Sequence, residues 1–390
     1  MDFFKDRIYL DYVSSTPVDS AMIATFPVLD TVAVSANPSA LHKEGQIAKR
    51  ALEQARHVVA ETLFVHSDEI IFTANATESD NIALQGTVRA FLQQGIAKEQ
   101  IAIVTTDTEH AAVSETVAVL SQQVSVTVLP TAQGVLDEKL LIVPEEITVL
   151  IISIIYVNNE IGVVQDIQAI AKRVRFLRKH HPTVTIVLHM DATQAPLHFS
   201  LNMQKLGIDM MTLGATKLYC PKGVGLLYVK RDTPLASSMF GGGQERGLRP
   251  GTPAVQLIHD FAHALSYAQK NVADYSEKII ALQKYFETEI KKNIPQAIIT
   301  GQGSTRTPHI SHIAVENFDS ELLVLELDAR GIAVSAKSAC KNEEMNETDS
   351  LMRIYGQGWG AVRFSFGRTT TAKDLEKAAV AFAAVLEKYQ

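Results

Sequence analysis

The 390-residue chain predicts an α/β protein: a mainly parallel β-sheet with helices on both faces, followed by a smaller α+β domain. Three observations carry that prediction. Apolar, β-branched runs recur along the first part of the chain. Segments of helical period separate several of them. Near residue 253 the pattern changes to long helical spacing and then to shorter strands mixed with helices. Strands that alternate with helices favour parallel pairing, because a parallel connection has to cross back over the sheet.

The strand-like runs are EIIFTA (69–74), IAIVTT (101–106), VSVTVL (124–129), VLIISIIYV (149–157), TVTIVLHMD (183–191) and VGLLYV (224–229). They are continuous rather than alternating, as expected of strands buried on both faces. Over 39–63, Ile47, Ala51, Ala55, Val59 and Leu63 share one helical face, and over 165–178 Ile167, Ile170, Val174 and Leu177 do the same. From Pro253 to Ile294 the spacing is helical throughout, through Ile258, Phe261 and Leu265 and then Ile279, Leu282, Phe286 and Ile290. Pro253 suits a first helical turn, and Pro295 ends the run. After it come HISHIAV, a helix-like SELLVLELDARG, IAVSA, a polar stretch over 341–350, AVRFSF, and an amphipathic helix over 372–388.

Composition narrows the function. A hydrophobic content of 46% and a charged content of 20% describe an ordinary globular chain. The net charge of −7 argues against nucleic acid or an anionic membrane as the main partner. The longest apolar run, ITVLIISIIYV (147–157), has strand length and is too short to span a bilayer. The start MDFFKDRIYLDY lacks the basic, apolar and small-residue regions of a signal peptide, so a cytoplasmic location is expected. In that compartment the two cysteines, Cys220 and Cys340, are packing groups or reactive thiols rather than a disulfide.

In open parallel sheets, ligands bind beyond the carboxyl ends of the strands. After 69–74 comes NATESDN, where Thr77 and Asp80 have capping-box spacing and open a helix suited to a phosphate. His110 follows 101–106, and Asn158, Asn159 and Glu160 follow 149–157. Asp191 and Gln194 end the run at 183–191, and Lys217 in GATKLYCPKG follows the apolar approach Ile208 to Leu213. Each alone has a plain structural reading: a cap, turn polarity, a satisfied buried histidine, a solvated lysine. Together they put a polar group at each strand end, as a small-ligand site requires. The set suggests pyridoxal phosphate (PLP), which needs a lysine for its Schiff base, a carboxylate for its pyridine nitrogen and donors for its phosphate. Lys217 and Asp191 would supply the first two, and Thr77 would contribute to the third.

At this point the chain resembles, along nearly its whole length, the cysteine desulfurases of the class V branch of fold-type-I PLP enzymes. The matching stretches include YLDYVSSTPVD (9–19), NPSALHKEGQIAKRALEQAR (37–56), EIIFTANATESDNIALQG (69–86), TTDTEHAAVSET (105–116) and VNNEIGVVQDI (157–167). They continue with HMDATQA (189–195), LGATKLYCPKGVGLLYVKR (213–231), GGGQERGLRPGT (241–252), SAKSAC (335–340) and VRFSFGRTTT (362–371). The resemblance implies a seven-stranded sheet in a large PLP-binding domain over 16–255. A small domain of 1–15 and 256–390 would carry the Cys340 loop and Arg363.

The resemblance also assigns roles. Lys217 matches the Schiff-base lysine, Asp191 its pyridinium partner, and His110 the ring-stacking histidine that assists proton transfer. Gln194 matches the residue that binds the cofactor's phenolic oxygen, and Asn158 one that holds cofactor and substrate. Thr77, with Ala76 and Thr216, belongs to the phosphate cup, and Thr252 would reach the neighbouring subunit's phosphate, which implies a homodimer with shared sites. Arg363 matches the clamp on the substrate carboxylate, a task suited to a planar bidentate donor. Cys340 matches the nucleophile that takes sulfur from L-cysteine as a persulfide and releases L-alanine, and only its thiolate can do so. Its polar surroundings resemble those of the long-loop group, whose members pass sulfur to scaffold and carrier proteins for iron–sulfur clusters or thiolated tRNA. Other readings are a related class V lyase acting on selenocysteine or cystine, and a non-catalytic scaffold.

The chain departs from the family at several positions. Gly214 and Thr216 stand where Ser and His normally assist the phosphate. Asn75 replaces a glycine and would need a left-handed conformation. Lys337 replaces a loop glycine, Val13 replaces a small residue that borders the pocket, and Cys220 replaces a glycine and reads as packing. Glu245, Arg246 and Arg249 fall in a Gly-rich loop, where a solvated charged turn is expected for at least one of them. The stretch YGQGWGAVRF before Arg363 is a few residues short.

Overall fold

A computed structural model of the chain describes residues 7–336 and 350–389. The expected runs become strands β2 (Ile70–Thr73), β3 (Ile101–Thr106), β4 (Ser125–Leu129), β5 (Val149–Ile155), β6 (Thr185–Asp191), β7 (Met210–Gly214) and β8 (Gly225–Val229), after a short β1 (Ile8–Tyr9). They form a seven-stranded sheet in the order β2-β8-β7-β6-β5-β3-β4. Neighbours pair in parallel from β7 to β4, and β8 runs antiparallel to both β7 and β2. β3 and β5 are buried at every position, as their continuous apolar runs require. β4 differs. It is the sheet's edge, only Leu129 is buried, and Val128 is largely exposed.

The smaller part carries β9 (Ile298–Ile299), β10 (Ile310–Glu316), β11 (Ile332–Ala333) and β12 (Trp359–Ser365). β9, β10 and β12 form an antiparallel sheet, while β11 pairs in parallel with β1. The helical run expected over 253–294 is two helices, Val255–Lys270 and Val272–Asn293, which meet at Asn271. Their apolar faces serve different cores. Ile258, Phe261 and Leu265 pack with Leu52, Ala55 and Val59 of the large core, whereas Ile279, Phe286 and Ile290 pack with Phe364 and Phe382 of the small one. The packing boundary therefore falls at Asn271, later than the 255/256 division expected from sequence.

Two local features shape the carboxyl edge of the large sheet. Asn75 is not left-handed: its φ is −170°, and its side chain caps the helix Ala76–Gln93 by accepting from Glu78 N at 2.8 Å. The cap thus sits two residues before Thr77, and Asp80 is free of the capping role expected of it. Gly225 on β8 permits the approach of this turn, since a Cβ there would lie 2.5 Å from the carbonyl carbon of Asn75. In the Gly-rich loop Arg246 is exposed, as expected for at least one of its charges, while the other two are tied to the fold. Glu245 is buried and takes a bidentate pair from Arg56 at 2.7 and 2.8 Å, with Phe72 N at 2.9 Å. Arg249 pairs with Glu78 at 2.9 Å, and Arg246 donates to Ile70 O at 2.9 Å.

Beneath the strand ends lies a buried polar layer. Glu109 Oε1 accepts from Thr106 Oγ1 at 2.5 Å and from Ile155 N at 3.0 Å, and burial pushes its carboxyl up to about 8. His189 bonds Ser153 Oγ at 2.9 Å and Thr212 Oγ1 at 3.1 Å, and burial lowers it to about 4. Asp80 is buried, makes no hydrogen bond through either oxygen among the described residues, and lies 3.6 Å from His189 Nε2. Burial, reinforced by nearby Asp191, raises it well above the usual carboxylate range.

Two stability experiments test these packing arguments. Glu245→Ala removes the buried bidentate partner of Arg56, leaving it only the exposed Glu53 and Ile70 O, and should cost about 3 kcal/mol in urea unfolding. Glu109 binds its proton more tightly folded than unfolded, so it lowers stability as pH rises from its ordinary 4.5 through about 8. In Glu109→Gln the urea midpoint should decline less over that window than in the parent chain.

Candidate active site

A cavity of about 250 Å³ opens at the carboxyl ends of β5, β6 and β7, against the start of the helix Ala76–Gln93. Lys217 closes a single 3-10 turn after β7, and its Nζ donates to Ser14 O at 2.8 Å. Asp191 is the last residue of β6 and is buried; its Oδ1 accepts from Thr193 N at 2.9 Å and Thr193 Oγ1 at 2.5 Å. Its second oxygen makes no hydrogen bond among the described residues, so the cavity wall offers an unused acceptor. Gln194 Nε2 donates to Val13 O at 3.2 Å, and its Oε1 faces His309 Nε2 at 3.4 Å. Burial, with Arg363 and Lys217 nearby, lowers His309 to about 3, so it stays neutral.

His110 caps the helix Ala111–Leu120, its Nδ1 accepting from Ala112 N at 3.1 Å. That bond engages Nδ1 as an acceptor, and in the neutral ring Nε2 is then the hydrogen-bond donor. Ala76, Thr77 and Thr216 border the cavity at the helix start. Thr252 does not: it is exposed on the Gly-rich loop, outside this cavity. Asn158 also departs from expectation. Its Nδ2 donates to Thr108 O at 3.0 Å and its Oδ1 accepts from Glu160 N and Ile161 N at 2.9 and 2.8 Å. The side chain is spent on folding its own turn, and the cavity wall carries Asn159 instead. Asn158 is buried and holds the turn beside the cavity.

Arg363, from the middle of β12, reaches the cavity from the small sheet and is almost wholly buried. It donates to Asn159 O at 2.8 Å, Asp11 Oδ1 at 3.0 Å and Ser14 Oγ at 2.9 Å. Sequence reasoning missed Asp11, Ser14 and Thr193. All three lie inside stretches named above, but no spacing rule ties Asp11 and Ser14 to an arginine so far along the chain. Cys220 is buried against Ala215 O at 3.5 Å, and burial pushes its thiol up to about 12, as a packing cysteine requires. Cys340 and Lys337 lie outside the described residues.

The residues present fit PLP. A lysine amine and the unused oxygen of a buried carboxylate face one cavity, and the first amides of the helix Ala76–Gln93 make an anion seat beside the hydroxyls of Thr77 and Thr216. No helix among the described residues is long and apolar enough to cross a membrane.

Known proteins agree with this arrangement. The aminotransferase class-V family model matches residues 8–378. A cysteine desulfurase IscS of Dictyoglomus turgidum (strain DSM 6724 / Z-1310) is 32% identical over 390 residues, covering 98% of this chain and 95% of that protein. The solved structure of a NifS-like protein superposes with a TM-score of 0.86 at 28% identity, covering 98% of this chain and 100% of that one. A structure of SspA in complex with cysteine gives a TM-score of 0.73 at 28% identity, covering 92% of this chain and 98% of that one. The chain therefore belongs to the aminotransferase class-V family, in its PLP-dependent cysteine desulfurase branch.

Proposed function

We propose that the chain converts L-cysteine to L-alanine, collects the sulfur as a persulfide on Cys340, and passes it to an acceptor protein for iron–sulfur cluster assembly or tRNA thiolation. The observation that carries this reading is the convergence of Lys217, Asp191 and Arg363 on one cavity. PLP bound there supplies an electron sink that weakens the substrate's bonds at Cα and Cβ. Lys217 Nζ would carry the cofactor, and Asp191, steadied by Thr193, would accept a hydrogen bond from the pyridinium N–H and so keep that nitrogen protonated. Gln194, fixed at both ends of its amide, would donate to the ring oxygen, and His110 would lie against the ring and assist proton transfer. Arg363 holds the substrate carboxylate. The Cys340 thiolate attacks the substrate sulfur: an S–S bond forms, the Cβ–S bond breaks, and the carbon recovers a proton to become alanine. Atoms balance, since one sulfur moves from substrate to enzyme.

A homodimer belongs to the same proposal. Val28, Leu41 and Phe240 are 97%, 93% and 86% exposed, more than isolated surface hydrophobics need be, and Thr252 shares the loop of Phe240. Thr252 would then meet the phosphate of the neighbouring site. A cytoplasmic location completes the reading.

The decisive measurement incubates the PLP-loaded protein with L-cysteine and follows alanine and sulfide. Cys340→Ser should abolish both, and sulfide release at the parent rate would sink the persulfide role. Lys217→Ala should remove the visible absorbance of the bound cofactor. Arg363→Lys keeps a charge but loses the planar fork, and KM for cysteine should rise about tenfold or more.

A further inference from the structure

Arg363 is occupied before any substrate arrives. Its Nη1 donates to Asn159 O at 2.8 Å. Both hydrogens of Nη2 are taken, one by Asp11 Oδ1 at 3.0 Å and one by Ser14 Oγ at 2.9 Å. Ser14 Oγ in turn donates to Asp11 Oδ1 at 2.9 Å, so the hydroxyl keys the carboxylate in place. Arg363 Nε is buried and has no hydrogen-bond partner among the described residues. Nε and Nη2 form the side edge of a guanidinium, one of the forks that a carboxylate engages with two parallel bonds. Half of that fork is open, and the other half is held by the chain's own acid.

We propose that Asp11, keyed by Ser14, is an internal carboxylate that competes with the substrate carboxylate for Arg363 and thereby sets substrate affinity and selectivity. This rests on the reading of Arg363 as the carboxylate clamp. The pair neutralises a guanidinium that is only 2% exposed, where an unpaired charge would be costly. An incoming carboxylate either takes Nη2 from Asp11 or sits beside it against like-charge repulsion. A simple anion gains too little to do so. An amino acid whose amine is also held by the cofactor on Lys217 has a second anchor and can complete the exchange. Ser14 stands at both anchors, since its backbone oxygen is the acceptor of Lys217 Nζ at 2.8 Å.

The test uses the PLP-loaded enzyme and two inhibitors, L-alanine and L-alaninamide, which share the amine and differ only in the carboxylate. Asp11→Asn keeps the shape and the Oδ1 acceptor but removes the competing charge. The inhibition constant of L-alanine should fall roughly five- to tenfold, KM for L-cysteine should fall with it, and L-alaninamide should be unaffected. Ser14→Ala, which frees one Nη2 hydrogen, should shift L-alanine the same way by about two- to threefold, and it carries the test if Asp11→Asn fails to retain cofactor. An unchanged or raised constant for L-alanine overturns the proposal, as does a parallel shift of both inhibitors. If the parent enzyme does not distinguish the two inhibitors at all, Arg363 is not the clamp. In that case the assignment beneath the proposal fails with it.

Discussion

Residues 8–16 leave the small sheet and run onto the carboxyl edge of the large one, and the site is assembled along this crossing. Tyr9 pairs with Ala333, Leu10 O accepts from Ser365 N at 2.8 Å, and Leu10 is wholly buried in the small core. Tyr12 already belongs to the large core, and Thr16 N donates to Thr216 O at 2.9 Å. Between them, Val13 O takes the amide of Gln194, Ser14 O takes the amine of Lys217, and Asp11 and Ser14 take Arg363. Several of these acceptors are backbone carbonyls. Val13 lines the cavity, yet its positioning role is carried by its carbonyl, which does not depend on the side chain.

The electrostatics follow from burial. Glu109 and Asp80 are held in their neutral forms, and His189 and His309 in theirs, because a low-dielectric site penalises the charged form of each. Asp191, Lys217 and Arg363 line the cavity, and Asp11 pairs with Arg363. Each acid has a defined companion. Asp11 answers Arg363, while Asp191 keeps one oxygen on Thr193 and presents the other to the cavity. A protonated His309 would repel both bases, and its burial prevents that. The neutral layer beneath is therefore part of the site, because it keeps the surface charges from being cancelled by their own surroundings.

Strand identity was legible wherever burial is two-sided. β3, β5 and β6 read as continuous apolar runs because both their faces are covered, and their carboxyl ends point directly to His110, Asp191 and Gln194. β4 has an equally apolar sequence, yet its edge position leaves most of it exposed, which no local pattern encodes. The break at Asn271 was hidden for a similar reason: apolar spacing continues through it, and only the tertiary cores tell its two halves apart. At the site, position at a strand end pointed to Lys217 and Asp191, and the resemblance pointed to Arg363. Residue type could not choose between Asn158 and Asn159, since the choice depends on which amide the turn consumes. Asp11 and Ser14 stayed silent because their partner is brought to them by the packing of two cores.

The departures at Gly214 and Asn75 have a shared physical reason. β7 ends at Gly214, and a Cβ there would lie 3.2 Å from Ala76 Cβ and 3.5 Å from Ala76 N. A serine at 214 would press on the helix start, which would have to give by a few tenths of an ångström. Glycine lets strand end and helix start sit close together. Asn75, in turn, spends its side chain on Glu78 N, so the amides of Ala76 and Thr77 remain for an anion. What this cup lacks in side-chain hydroxyls it recovers as backbone N–H groups at the positive end of a long helix, with Thr77 and Thr216 at its rim. The departures at Gly214 and Thr216 thus leave the amides of Ala76 and Thr77 and the hydroxyls of Thr77 and Thr216 at the cavity for an anion.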